Sequence, residues 1–133
     1  MPANTQVFPD AVFQVERASG ALSATYTGNI RTADPAARGV AVVLDLTAFV
    51  TAASLQVAIE VFDANSGKFI DLLAATPVAA TGTFMYIVAP GATAAGGGVT
   101  KSVSAWLTQT WRIRVIAGNG NSHTYSVSFA YLG

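Results

Sequence analysis

The alternation of apolar and polar side chains restricts the fold of this chain more than any other feature of its sequence. From residue 39 onward apolar residues recur with a period of two, whereas an amphipathic helix would show a period of 3.6. The apolar face of "GVAVVLDLTAF" consists of Val40, Val42, Leu44 and Leu46. In "SLQVAIEVF" it consists of Leu55, Val57, Ile59 and Val61. This pattern indicates strands that each bury one face.

Turn residues separate these strands. The segment "DANSGK" lies between "SLQVAIEVF" and "FIDLLA", so residues 54–73 are predicted to form a hairpin. "GTFMYIVA" is predicted as a further strand between Gly82 and Pro90. "WRIRVIA" and "SHTYSVSFAYL" are joined by "GNGN", which predicts a C-terminal hairpin with Arg112 and Arg114 facing outward.

Several short strands without a convincing helical segment predict an all-β fold, an antiparallel β-sandwich of jelly-roll-like form over residues 39–133. The predicted core comprises Val42, Leu44, Val57, Ile59, Trp111, Ile113, Val115, Tyr125, Val127 and Phe129.

Residues 1–38 break the regular alternation and leave two interpretations open. They are either the first strands of the sandwich, with strands around 11–16 and 22–30, or an N-terminal arm that pairs with a neighbouring molecule. As an arm, the segment would insert apolar side chains into pockets of its partner, namely Val7, Phe8, Val12 and Phe13.

The low charge of the chain bears on its partners. Only 11% of the residues are charged and the formal net charge is zero, whereas about 25% is typical. This balance argues against nucleic-acid binding and favours a surface that is partly covered by other subunits. Cysteine is absent, which excludes disulfides and cysteine metal sites. The start "MPANTQVFPD" has no leader pattern and no stretch approaches a membrane span, so we expect a soluble protein.

Two loops superficially match ligand-binding motifs. "PGATAAGGGVTKS" has the composition of a phosphate-binding loop, but Val99 and Thr100 separate its last glycine from Lys101, and a strand pattern follows where a helix is required. "DANSG" fails as a calcium loop, because its glycine comes one position early and Ala74 occupies the place of the bidentate glutamate. We therefore expect a flexible connection and a hairpin turn.

No catalytic arrangement is evident among the titratable residues. His123 is the only histidine, and no nucleophile-elbow motif accompanies it. Asp45, Glu60 and Asp71 lie on or beside strands, where ion pairs with the outward arginines are the simpler interpretation. We therefore expect a protein without enzymatic activity, cofactor or bound metal.

Four aromatic residues could contact another molecule. Trp111, Tyr125 and Tyr131 follow the apolar register of their strands, which favours the core, whereas Trp106 is out of register with Val103, Ala105 and Leu107. The glycine-rich loop at 91–100 cannot form a core of its own and is a second candidate contact. The predicted interface residues are thus Val7, Phe8, Val12, Phe13, Gly96, Gly97, Gly98 and Trp106.

The segments "RGVAVVLDLTAF", "LQVAIEVFDANSGKFIDLL", "ATGTFMYIVAPGA" and "TWRIRVIAGNGNSHTYSVSFAYL" together resemble small virion structural proteins of tailed bacteriophages. The resemblance implies a β-sandwich capsid decoration, or cement, protein that binds the major capsid protein on the outside of the head. It further implies a homo-oligomer, such as a trimer, made in the host cytoplasm. Residues 1–38 lie outside the resemblance.

Two alternatives remain open. The chain could be another virion component, such as a head-fibre base, connector or tail protein, because a fold by itself does not specify a function. It could also be a carbohydrate-binding or adhesion module that uses its aromatic residues as a platform.

Overall fold

The computed structural model describes residues 13–92 and 98–133, and within these ranges all regular secondary structure is β-strand. The strands are β1 (Gln14–Leu22), β2 (Tyr26–Thr27), β3 (Arg31–Thr32), β4 (Gly39–Phe49), β5 (Leu55–Asp63), β6 (Lys68–Ala74), β7 (Gly82–Val88), β8 (Val99–Val103), β9 (Thr110–Ala117) and β10 (His123–Leu132). None of the described residues belongs to a helix that could cross a membrane.

The strands form two sheets that pack face to face. The first sheet has the order β1-β10-β4-β7-β8, and the second has the order β2-β9-β5-β6, with β3 also paired to β9. The pairs are antiparallel except for β7 and β8, which run parallel. The predicted antiparallel β-sandwich is confirmed.

The topology is that of a jelly roll with one added strand. β1 pairs with β10, β2 and β3 pair with β9, β4 pairs with β7, and β5 pairs with β6. These nested pairs describe one long antiparallel hairpin, with its tip between β5 and β6, that is rolled into two layers. β8 extends the first sheet beyond β7.

The core lies between the sheets and contains all ten residues of the predicted core, whereas Val61 and Tyr131, also assigned to apolar faces, are only half-buried. The ten predicted core side chains are each at most 1% exposed. Trp111 packs edge-on against Phe129 and Tyr131, with ring centroids 5.4 and 5.8 Å away. Its indole N–H also donates to the Tyr131 hydroxyl at 3.2 Å. The period of two therefore predicted correctly which face of each strand is buried.

The predicted C-terminal hairpin is wrong. β9 and β10 lie in different sheets, and residues 118–122 form an arch that carries the chain from one layer to the other. The Gly118 N–H donates to the Ser54 carbonyl at 2.9 Å, and the side-chain amides of Asn119 and Asn121 donate to the Ala52 carbonyl. The glycine and the asparagines therefore hold this arch against the neighbouring β4–β5 arch. In the predicted hairpin the same residues would instead have formed a tight turn.

The β5–β6 turn matches its prediction. The Asp63 carboxylate accepts hydrogen bonds from the backbone N–H groups of Asn65 and Ser66. Gly67 has a φ of 72°, in the left-handed region that glycine tolerates best. The Asp63 carboxylate thus shapes the turn, as the hairpin interpretation of "DANSGK" requires.

Two other segments differ from simple alternation. Residues 14–32 supply one edge of both sheets, with β1 beside β10 and with β2 and β3 beside β9. In the sequence the alternating pattern continues to Leu107, but strand β8 ends at Val103. Residues 104–109 then cross to the second sheet.

The sandwich has two distinct ends. The hairpin end comprises residues 28–38, 62–69, 104–110 and 130–132. These segments are brought together by the strand pairs Thr32↔Thr110 and Val61↔Trp111 and by the hydrogen bond from the Arg38 N–H to the Leu132 carbonyl. The arch end comprises residues 49–54 and 118–123, joined by the Val50 N–H bond to the Ser122 carbonyl.

Candidate functional site

Exposed apolar side chains are unevenly distributed over the molecule. Among the described residues seven large hydrophobic side chains are exposed. Val50 lies at the arch end, and the other six occupy the half of the sandwich nearest the hairpin end: Phe13, Val15, Ile30, Phe62, Ile70 and Trp106. This asymmetry makes the hairpin end and the adjoining β1–β3 edge the candidate contact surface.

Trp106 is the largest side chain on this surface, and its backbone is firmly held. The adjacent Leu107 donates its N–H to the Arg38 carbonyl at 2.9 Å and is only 6% exposed. Because Leu107 turns inward in an extended segment, Trp106 turns outward and remains 61% exposed. The prediction that Trp106 lies outside the core is confirmed.

Arg38 lies beside the Trp106 indole. Its guanidinium carbon is 5.6 Å from the ring centroid, within the range of a cation–π contact. The side chain makes no ion pair or hydrogen bond with any other residue in the described part of the chain. The other four arginines differ, because each has a carboxylate or backbone carbonyl as an acceptor.

A groove of about 330 Å³ is lined in part by Ala37 and Leu107, the chain neighbours of Arg38 and Trp106. Its walls come from the β3–β4 loop, including Ala33, Asp34 and Pro35, and from Leu107 and Gln109. The Asp34 carboxylate accepts the Ala36 N–H at 2.9 Å and so supports the loop that forms one wall. The groove is mainly apolar, and its polar lining residues are Thr32, Asp34 and Gln109.

The predicted interface residues do not form one surface. Phe13 is 46% exposed beside the start of β1, whereas Gly98 precedes β8 at the opposite edge of the same sheet. Gly98 has a φ of 92°, with open space at its missing Cβ. The remaining predicted positions lie outside the described residues: Val7, Phe8, Val12, Gly96 and Gly97.

Four charged residues of the second sheet, on β5, β6 and β9, form one network. Glu60 is 4% exposed and accepts hydrogen bonds from Arg112 at 2.7 Å and Arg114 at 3.1 Å. Burial opposes ionisation of Glu60, but these hydrogen bonds outweigh it and hold its pKa below the usual value. Asp71 lies opposite Glu60 on β6, and burial together with that neighbour raises the Asp71 pKa. Of the predicted ion pairs, those of Glu60 with Arg112 and Arg114 form, although Glu60 is buried; among the described residues neither Asp45 nor Asp71 pairs with an arginine.

Asp45 is separate from this network. It lies in the first sheet, where it accepts a hydrogen bond from the Thr83 hydroxyl at 3.1 Å. The three carboxylates considered above therefore do not converge on one cleft. No group of three or more metal-ligating side chains occurs in ranges 13–92 and 98–133.

A second charged network, which the sequence did not indicate, joins the two sheets at the β1–β3 edge. The side chain of Glu16 is fully buried and accepts hydrogen bonds from Arg31 Nε at 2.7 Å and the Tyr26 hydroxyl at 2.8 Å. Burial, and then the bond to Glu16, raise the pKa of Tyr26 to about 12. Phe13 and Val15 are exposed, so alternation along β1 turns Glu16, the residue after Val15, inward; the register with β10 shifts directly after Val15.

His123 has a structural role. It is fully buried at the start of β10, and its Nε2 accepts the Ser54 N–H at 3.0 Å. This bond ties the two arches together. Lys101, the lysine of the glycine-rich segment, projects from strand β8 and donates to the Ala74 carbonyl at 2.8 Å.

No protein-family model matches this chain, and no curated protein matches its sequence.

Proposed function

We propose that this chain is a non-enzymatic structural protein of a tailed-bacteriophage virion that decorates the capsid surface by binding the major capsid protein lattice. The observation that carries the proposal is the concentration of exposed apolar side chains at the hairpin end and the adjoining edge. The resemblance of the strand and turn segments to virion structural proteins supports the same role.

A decoration protein needs contact area and no chemistry of its own. A lattice repeats the same modest contact many times, and an oligomeric protein that binds several lattice positions gains avidity from linked contacts. Apolar side chains held on hydrogen-bonded strands lose little conformational entropy on binding, which favours association. Val15 and Ile30, which are 68% and 63% exposed, meet this description on β1 and next to β3.

The environment of the titratable residues also supports a structural role. Glu16 and Glu60 are buried and bonded to arginines, and His123 accepts a backbone hydrogen bond. Each of these groups already has a partner that positions strands or arches. A general acid or base would have to reach a substrate in an open cleft.

The exposure of Trp106 supports a second candidate function. An exposed indole near a groove that is partly lined by polar residues is also compatible with a carbohydrate-binding module, because flat aromatic faces can stack on sugar rings. Such a module would bind oligosaccharides as an isolated protein. A decoration protein would bind assembled heads.

The test uses heads assembled without this chain, to which the purified protein is added. We expect cryo-electron microscopy to show regular extra density on the outer surface that fits the jelly roll, with its hairpin end toward the shell. Replacing Val15 and Ile30 together by serine should weaken binding at least tenfold, equivalent to about 1.4 kcal/mol.

The matched control is Val50→Ser, which removes a similarly exposed apolar side chain at the arch end. This variant should bind heads like the wild type. Heads that remain bare after addition of the wild-type protein would refute the decoration role, and density confined to the tail or the connector would assign the chain to another part of the virion.

A further inference from the structure

We propose that Trp106 and Arg38 form an anchoring site, the Trp106–Arg38 platform, for a partner protein that presents a carboxylate beside an apolar side chain. This inference rests on the decoration role proposed above and specifies the chemistry of one contact.

The platform is held in place before any partner binds. Arg38 donates its backbone N–H to the Leu132 carbonyl at 2.7 Å and accepts the Leu107 N–H at 2.9 Å. Both side chains of the platform therefore extend from backbone that is tied to the end of β10 and to the buried Leu107. A contact that is already ordered loses less entropy on association than one that must be ordered by the partner.

The polar groups of the platform are hydrogen-bond donors only. A guanidinium has five N–H donors and an indole has one, and neither side chain has an acceptor. Within the described residues the Arg38 guanidinium has no carboxylate partner, unlike Arg31, Arg112 and Arg114. The complementary ligand group is therefore an anionic acceptor, and a carboxylate fits the planar fork of arginine with two parallel hydrogen bonds.

The adjacent groove indicates what the partner presents beside its carboxylate, namely an apolar side chain. Ala33, Pro35 and Leu107 give it an apolar lining, and its volume of about 330 Å³ is open to solvent beside the platform. An apolar side chain next to the partner's aspartate or glutamate would enter this groove. Tryptophan and arginine are also the residues most enriched at the energetic centres of protein interfaces.

A protein partner fits the platform better than a neutral saccharide. Sugar hydroxyls both donate and accept hydrogen bonds, so their recognition requires acceptors as well as donors. The acceptors Thr32, Asp34 and Gln109 line the groove and do not belong to the platform, whose own polar groups are donors. The charge and donor pattern of Arg38 and Trp106 instead match an acidic protein surface.

The experiment measures the Kd of the purified protein for heads assembled without it, at low and at moderate salt. Arg38→Gln and Trp106→Ala should each raise the Kd about tenfold or more, and Arg38→Lys should have an intermediate effect because it keeps the charge and loses the fork. The Arg38→Gln variant should also respond less to salt than the wild type does. Both side chains are exposed, so the Tm of each variant should match that of the wild type.

Lys68→Gln is the matched control, because it removes one exposed positive charge in the β5–β6 turn region of the same end. It should change the Kd by less than about threefold. If the wild-type protein binds heads and the Arg38 and Trp106 variants bind equally well, the platform inference is wrong and the decoration role stands. If the wild-type protein does not bind heads, both are wrong.

Two further measurements identify a different occupant. Binding of the wild-type protein to an oligosaccharide array that is lost in Trp106→Ala would overturn the inference in favour of a saccharide. Sedimentation that shows a wild-type oligomer and a Trp106→Ala monomer would overturn it in favour of a second copy of the chain.

Discussion

Glu16 and Arg31 form a buried ion pair across the edge of the jelly roll, and their separate removal should have unequal effects. Glu16 belongs to β1 in the first sheet, and Arg31 belongs to β3 in the second. The Glu16 side chain is 0% exposed, whereas that of Arg31 is 23% exposed. Removing Arg31 therefore leaves a charge with no access to water, but removing Glu16 leaves a charge that can turn toward solvent.

The expected loss of stability follows from these exposures. Breaking a buried ion pair by removing one partner costs about 3–5 kcal/mol. For Arg31→Ala we expect a loss within this range, because the carboxylate that remains is shielded from water. For Glu16→Ala we expect about 2–3 kcal/mol, because Arg31 and the Tyr26 hydroxyl lose an acceptor but remain nearer to water.

A double variant provides an independent check of the same reasoning. The double variant Glu16→Leu with Arg31→Met removes both charges and keeps most of the volume. Its stability should lie within about 1 kcal/mol of the wild type.

Urea unfolding followed by tryptophan fluorescence measures these free energies, and thermal unfolding should show the Arg31→Ala loss as a decrease in Tm of roughly 10 °C or more. Asp45→Ala is the control, because it removes a carboxylate whose hydrogen bond to Thr83 is exposed. The account would be refuted if Arg31→Ala cost less than about 0.5 kcal/mol, or if the double variant lost the sum of the two single losses.

Other parts of the fold make further predictions. Burial raises the pKa of Tyr26 and of Tyr86 to about 12, so the stabilisation from these neutral tyrosines should be fully present below pH 10 and decrease as the pH rises from 10 through 12. Absorbance at 295 nm should show that the two tyrosines ionise together with unfolding. Ionisation near pH 10 in the folded protein would contradict this prediction. Ile113→Ala should cost about 2–5 kcal/mol in urea unfolding, because the side chain is fully buried, and a loss below about 0.5 kcal/mol would place it outside the core. Gly118→Ala should lower the Tm, because its new methyl group would overlap the Ser54 side chain. Adding Ser54→Gly should restore part of the lost Tm. If it restores none, a contact other than Ser54 excludes a side chain at residue 118.

The positions of most strands, and the face that each strand buries, could be predicted from local sequence. The side chains of a strand alternate between its two faces, so a run such as Trp111, Ile113 and Val115 specifies its buried side without reference to any partner strand. Local sequence also predicted the β5–β6 turn, because Asp63 and Gly67 act within the turn itself. Trp106 was correctly placed outside the core by the same argument.

The pairing of strands could not be predicted in this way. "GNGN" between two alternating segments is typical of a hairpin, yet in this fold those segments belong to different sheets. The contact of Gly118 with Ser54 brings together residues that are distant in sequence. In a jelly roll most consecutive strands cross between layers, so pairing depends on how the whole chain rolls up and not on one turn.

The sequence by itself determined an all-β sandwich, the apolar face of its main strands and the exposure of Trp106, because these depend on side-chain alternation within a few residues. Only the tertiary structure decided that β9 and β10 lie apart and that Glu16 faces inward and meets Arg31. Tertiary structure also placed Arg38 beside Trp106. The physical reason is that each of these contacts joins segments far apart in the chain, whose approach is governed by packing of the two sheets and not by local periodicity.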